Sequence, residues 1–237
     1  MQGTMQMLVR RSANAGNHAA FPAIARSTPR DALDQLEQFG TTVTIPHDGE
    51  IVGQGDRAEF CYRILSGCVR QVTLMEDGRR QVGEFLLAGD LFGFDALATH
   101  DFAAEAVPDV VLRRYPRRRV EALAESHLGL ARRLRDLTAE NLRTAHGRLM
   151  LLGRKTASER IASFLLEMVE RLPERNDHLM ALPMSRTDMA DHLGLTIETV
   201  CRVLAHLRRE GTIGVERAGV EIRDRTGLEL MASEPRH

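Results

Sequence analysis

Ser185-Arg186-Thr187-Asp188-Met189-Ala190-Asp191-His192-Leu193-Gly194-Leu195-Thr196-Ile197-Glu198-Thr199-Val200-Cys201-Arg202-Val203-Leu204 carries two helix starts and one helix stop. Ser185 with Asp188 three residues on is an N-cap and a first-turn acid, which together satisfy orphan amides and suit the helix dipole. Met189, Ala190 and Leu193 give this first helix an apolar face. Gly194 stands where the helix must turn, because a residue without a Cβ adopts positive φ cheaply, and small Ala190 lets a second helix approach. Thr196 caps that second helix. Two short helices around a glycine turn make a helix-turn-helix.

Val200, Leu204 and Leu207 recur at helical spacing and are expected to be buried, which turns Ile197, Glu198, Cys201, Arg202 and Ala205 outward. Arginine can donate two parallel hydrogen bonds to O6 and N7 of guanine, and glutamate can accept from the N4 amino group of cytosine. Glu198 and Arg202, one turn apart, therefore suit neighbouring base pairs rather than only an ion pair with each other. Ile197 and Cys201 complete the base-facing set, and Ser185, Arg186, Thr187, Thr196 and Thr199 are the phosphate-facing candidates. Beyond the helix, Thr212 to Val215 and Val220 to Ile222 flank Ala218-Gly219, a hairpin signal that makes the unit a winged helix-turn-helix.

The chain has 237 residues, 43% of them hydrophobic, enough for a full core and for two domains. A net charge of -1, with residues 184–237 nearly balanced, means that DNA affinity must come from local arginines rather than bulk charge. Cys61, Cys68 and Cys201 contain no CxxC pair and match neither a disulfide framework nor a zinc finger. A reducing cytoplasm is the simplest setting for them. No run approaches the ~18 apolar residues of a membrane span, so no membrane partner is expected. Dinucleotide, P-loop, zinc-protease and nucleophile-elbow motifs are absent, which argues against an enzyme.

Residues 1–30 read as a polar arm with Pro22 and Pro29. Residues 31–116 change to short β-like runs: Val43 and Ile45, Phe60 to Leu65, Val69 to Met75, Val82 to Leu87 and Val110 to Tyr115. Their punctuation at Ser66-Gly67, Asp77-Gly78 and Gly89-Asp90 implies an antiparallel β-roll. Residues 117–153 are helical. Leu123, Leu130, Leu134, Leu137, Asn141, Thr144, Arg148 and Leu151 fall at spacings of seven, then four and three, the pattern of a coiled-coil seam, so this segment is expected to pair two copies of the chain; the alternative is a single helix packed on the chain's own β-domain. Thr156 with Glu159 opens the next helix as a capping box, and Ile161, Phe164, Leu165, Met168 and Leu172 form its apolar stripe. Residues 154–237 then make the winged helix-turn-helix domain. The class is α+β.

This order of β-roll, long helix and winged helix-turn-helix resembles the Crp/Fnr superfamily of bacterial transcription regulators over roughly residues 35–225. The resemblance is carried by Leu65-Ser66-Gly67 with Glu76-Asp77-Gly78-Arg79-Arg80-Gln81-Val82, by Leu87-Ala88-Gly89-Asp90-Leu91-Phe92-Gly93-Phe94-Asp95-Ala96-Leu97, and by Leu193 to Leu204. It implies a jelly-roll β-domain built like the cyclic-nucleotide-binding domains. The second stretch is closer to the Fnr branch. A cyclic-AMP binder of the family would place an Arg-Ser pair where this chain has Phe102-Ala103-Ala104-Glu105, and an acid there repels phosphate. An iron-sulfur Fnr needs N-terminal cysteines, and residues 1–60 have none. No cofactor is expected.

What is left resembles the FixK subgroup. That resemblance implies a homodimeric activator of low-oxygen and nitrogen-fixation genes that contacts RNA polymerase and binds a palindrome of the TTGAT-N4-ATCAA type. Arg202 would take the guanine of TTG and Glu198 an amino group on the opposite strand. Ile197 replaces a second arginine of the cyclic-AMP receptors and suits a thymine methyl. Cys201 replaces a serine common in Fnr proteins, which leaves two readings: a thiol at the DNA-facing surface whose oxidation weakens binding, or a small passive substitute for the serine. A competing reading makes the β-roll a small-molecule or haem pocket, with His47, His100, His127 and Cys68 as ligand candidates.

Overall fold

The computed structural model describes residues 32–172, 179–216 and 219–233. The predicted arm over 1–30 and Ala218 of the predicted hairpin turn lie outside the described residues.

A 3-10 helix, Ala32–Phe39, leads into eight strands: β1 Thr41–Ile45, β2 Glu50–Val52, β3 Phe60–Ser66, β4 Cys68–Leu74, β5 Arg80–Leu87, β6 Leu91–Phe92, β7 Ala103–Ala106 and β8 Val110–Pro116. They form two antiparallel sheets, ordered β1-β8-β3-β6 and β2-β7-β4-β5. Gly67, Gly78 and Gly89 take positive φ at the turns, where glycine alone pays no steric penalty. The space between the sheets is filled by apolar side chains from both, among them Val52, Tyr62, Ile64, Val69, Leu86, Phe92, Ala104 and Leu112. On β4 and β5 the alternation runs on to the other face as well. Cys68, Val72, Val82, Phe85 and Leu87 join the core of the C-terminal domain instead, so this sheet is covered on both sides.

The helical segment after Pro116 is two helices, α1 Arg117–Ser126 and α2 Leu128–Arg154, rather than one. His127 leaves helical geometry at φ -124° and ψ 94°, and the break lets α1 fold back so that Val120 meets Cys61, Leu91 and Tyr115. Leu123 and Leu130 therefore sit on different helices.

The C-terminal domain comprises α3 Ala157–Arg171, β9 Leu179–Met180, α4 Arg186–Leu193, α5 Ile197–Arg209, β10 Ile213–Glu216, β11 Gly219–Ile222 and α6 Arg225–Ser233. Both predicted capping boxes are formed, Thr156 with Glu159 and Ser185 with Asp188. The wing is a three-stranded sheet, β10-β11-β9. Its third strand, Leu179–Met180, was not among the predicted runs.

Candidate nucleic-acid interface

Gly194 closes α4 in the left-handed conformation, φ 62° and ψ 42°, and Thr196 Oγ1 accepts from the Thr199 amide to start α5. The turn sets the two helices against each other over Met189, Ala190, Leu193, Val200 and Leu204, all buried. Burying Val200, Val203, Leu204 and Leu207 leaves one side of α5 to solvent: Ile197, Glu198, Cys201 and Arg202 are exposed. The Glu198 carboxyl is held below its ordinary range, first by its own backbone amide and the Thr196 hydroxyl, with Arg202 adding to this. It is an anionic acceptor at neutral pH.

The phosphate-facing candidates lie at the starts of the two helices. Ser185, Thr187 and Thr196 are exposed, while Arg186 and Thr199 are half-buried. The Ser185 hydroxyl is already committed: it accepts from the Asp188 amide at 3.1 Å and donates to Asp188 Oδ2 at 2.7 Å.

Helix α2 turns the predicted seam inward. Leu130 and Leu137 are buried against the chain's own β-roll and 3-10 helix, with Leu123 and Leu134 packed beside them. Asn141 Nδ2 donates to Asp95 Oδ2 at 3.0 Å, and Thr144 is half-buried. The heptad pattern marked an apolar stripe correctly but could not say whose surface covers it. The exposed apolar residues of α2 are instead Leu128, Leu142, Leu149 and Met150.

Several supporting residues carried no signal in the sequence. Arg160 of α3 donates to Leu152 O, Lys155 O and Leu193 O at 2.8 to 2.9 Å, tying the end of α2 to the end of α4. His192, on the inner side of α4, lies between Phe85 and Phe164. Burial first, and then the Arg148 guanidinium, push its pKa well below the ordinary value. Arg171 bridges to Asp90 at 2.6 Å. The bond of Arg160 to Leu193 O and the partnerships of His192 with Phe85 and of Arg171 with Asp90 are long-range, and no local pattern announces them.

The haem-ligand candidates are scattered in role. His47 is an exposed partner of Asp48. His100 is buried in the loop before β7 and leans on Phe102. His127 marks the α1–α2 break. The Cys68 thiol is buried, which pushes its pKa up to about 12. Among the described residues no three His, Cys, Asp or Glu side chains gather as a metal-ligand set.

Comparison with known proteins agrees with this architecture. The cyclic nucleotide-binding domain family matches residues 42–127 and the Crp-like helix-turn-helix domain family residues 159–231. The nitrogen fixation regulation protein FixK of Azorhizobium caulinodans is 43% identical over 199 residues, covering 82% of this chain and 80% of that protein. The chain belongs to the Crp/Fnr family. FixK of Rhizobium meliloti is 40% identical over 78% of this chain and 80% of its own length. The solved structure of FixK2 from Bradyrhizobium japonicum superposes with a TM-score of 0.79 at 42% identity, covering 82% of this chain and 98% of that one. This Crp/Fnr chain is thus a FixK-like transcription regulator with a helix-turn-helix DNA-binding domain, not an enzyme.

The first family match raises the question of a cyclic nucleotide, and the residues do not fit one. The Glu105 carboxylate on β7 is taken by Arg70 Nε at 2.7 Å. The space between the sheets is lined by apolar groups, which offer a phosphate no hydrogen bonds. No helix among the described residues is long and apolar enough to cross a membrane.

Proposed function

We propose that this regulator acts as a homodimeric activator that reads an inverted TTG/CAA repeat of the TTGAT-N4-ATCAA type. The observation that carries this reading is the exposed pair Glu198 and Arg202, one turn apart on a helix whose opposite side is fully buried. Arg202 takes the guanine of TTG, Glu198 an amino group on the opposite strand, and Ile197 a thymine methyl. Arg186, Thr187, Thr196 and Thr199, with the amides of the α4 start, hold backbone phosphates. Two-fold symmetry then places recognition helices in major grooves about 34 Å apart.

Leu142 and Leu149 support pairing through α2, because they are exposed, apolar and one heptad apart. The relatives named for nitrogen fixation regulation support a role at genes of low-oxygen and nitrogen-fixation metabolism. RNA polymerase is the expected protein partner. Cys201, exposed on the reading surface, makes binding sensitive to thiol oxidation.

The test is a binding profile of wild type and Arg202→Ala against single-base variants of the palindrome. The Arg202→Ala protein is expected to lose ~1 to 3 kcal/mol on the intact site and to relax its preference at the guanine alone. A uniform loss across all variants, with the guanine preference intact, would remove Arg202 from base reading.

A further inference from the structure

Helix α4 has two sides with different employment. Its start, at Ser185 and Thr187, is open to solvent. Its inner side, Asp188, Asp191 and His192, rests on β4, β5 and α2, residues more than 100 positions away in sequence for the strand contacts. Arg70 of β4 spreads its guanidinium over three carboxylates: Nε to Glu105 at 2.7 Å, Nη2 to Asp48 at 2.9 Å and Nη1 to Asp188 at 3.2 Å. Arg80 of β5 binds Asp191 Oδ2 through Nε at 2.9 Å and Nη2 at 2.8 Å, and shares Nη2 with Asp188 at 3.0 Å. The neighbouring Gln81 amide donates to the Asp191 carbonyl oxygen.

Asp188 is the same carboxylate that closes the capping box of α4. One side chain thus joins the helix end facing DNA to two arginines of the β-roll. The covalent route between the domains runs through Lys155, which is extended at φ -89° and ψ 143°, so the angle between them is set by the contacts across this junction. Forked guanidinium contacts to several carboxylates fix direction as well as distance. We propose that Arg70 and Arg80 are positioning residues for DNA binding: through Asp188 and Asp191 they hold the helix-turn-helix at one angle to the β-roll and α2, so that the recognition helices of a dimer are pre-set by the chain's own side chains.

This rests on the reading of α5 as the DNA-contacting helix. Its consequence follows from population arithmetic. If loosening the clamp leaves the competent arrangement about a tenth populated, the apparent affinity falls about tenfold while sequence preference stays the same. An ion cluster that only stabilised the fold would change the unfolding midpoint and leave the affinity of the folded protein unaltered.

The test uses the full chain. Arg80→Ala is assayed for affinity on DNA that wild type selects from a random pool, well below its unfolding temperature, beside the charge-exchanged variant carrying Arg80→Asp and Asp191→Arg. Separately, spin labels on the exposed Cys201 and on a Glu76→Cys substitution, in dimers diluted with unlabelled chain, report the angle between the domains without DNA. The expected results are an about tenfold weaker affinity with an unchanged sequence profile for Arg80→Ala, partial recovery in the exchanged variant, and a broadened distance distribution that narrows again on exchange. Equal affinity of Arg80→Ala and wild type, or a distance distribution that Arg80→Ala leaves unchanged, overturns the proposal. Failure of wild type to select any DNA would instead count against the DNA reading, and the distance measurement still judges the clamp.

Discussion

Replacing Arg160 by methionine keeps the apolar stem of the side chain and removes only its guanidinium. That group sits where two helix ends converge, donating to Leu152 O and Lys155 O at the end of α2 and to Leu193 O at the end of α4, at 2.8 to 2.9 Å; a fourth contact to Gly194 O is longer, at 3.4 Å. A cation at a helix C-terminus is favourable because the last carbonyls lack partners, and here one cation serves two such ends. A hydrogen bond from a charged donor contributes about 1.5 to 3 kcal/mol when its loss strands the partner. The site is only half-buried, so water replaces part of each bond, and about 1 kcal/mol for each of the three short contacts is the appropriate scale. The expected loss is about 3 kcal/mol, or a fall of about 6 to 12 °C in the melting temperature of a chain this size. Arg160→Lys, whose single ammonium cannot fork over three carbonyls, should recover only about a third of it. Urea unfolding followed by circular dichroism is the assay. A loss under about 1 kcal/mol for the methionine variant would refute the idea that Arg160 binds the two helix ends together.

Other outcomes follow from the same geometry. Leu142→Glu with Leu149→Glu puts charge on the exposed stripe of α2, and sedimentation should show the protein become monomeric without unfolding; an intact dimer would move the pairing surface elsewhere. His192 stays neutral in the fold while the unfolded chain takes up a proton below the ordinary value of 6.5. Its contribution is therefore fully present above pH 6.5 and is lost as pH falls, by up to about 1.4 kcal/mol per pH unit. Urea midpoints at pH 7.5 and 5.5 should differ in wild type and differ less in His192→Gln; equal slopes would dismiss His192 as the source. Peroxide, which converts the Cys201 thiol to sulfenic acid with release of water, should weaken DNA binding of wild type but not of Cys201→Ser, since Cys61 and Cys68 are buried. Matching losses in both proteins would clear Cys201.

Much of the DNA-binding unit was legible because its rules are local. Ser185 with Asp188, Gly194 and Thr196 are caps and a turn whose partners lie within four residues, and each behaves as its chemistry dictates. The five predicted strand runs hold for the same reason. Strand β7 escaped notice because Ala103-Ala104-Glu105-Ala106 has no β-branched or aromatic residue; its pairing with β2 and β4 is imposed by tertiary packing. The two-sided burial of β4, the inward turn of Leu130 and Leu137, and the partnerships of Arg70, Arg80 and Arg160 all depend on which surface meets which. Periodicity reports that a stripe is apolar; only the assembled chain identifies its cover.

The measurement closest to the central claim is selection of bound fragments from random duplex DNA by the purified protein, followed by sequencing. The account predicts enrichment of inverted repeats with TTG and CAA arms, and loss of constraint at the guanine when Arg202 is alanine. Enrichment of no motif, or of a single unpaired motif without two-fold symmetry, would contradict it.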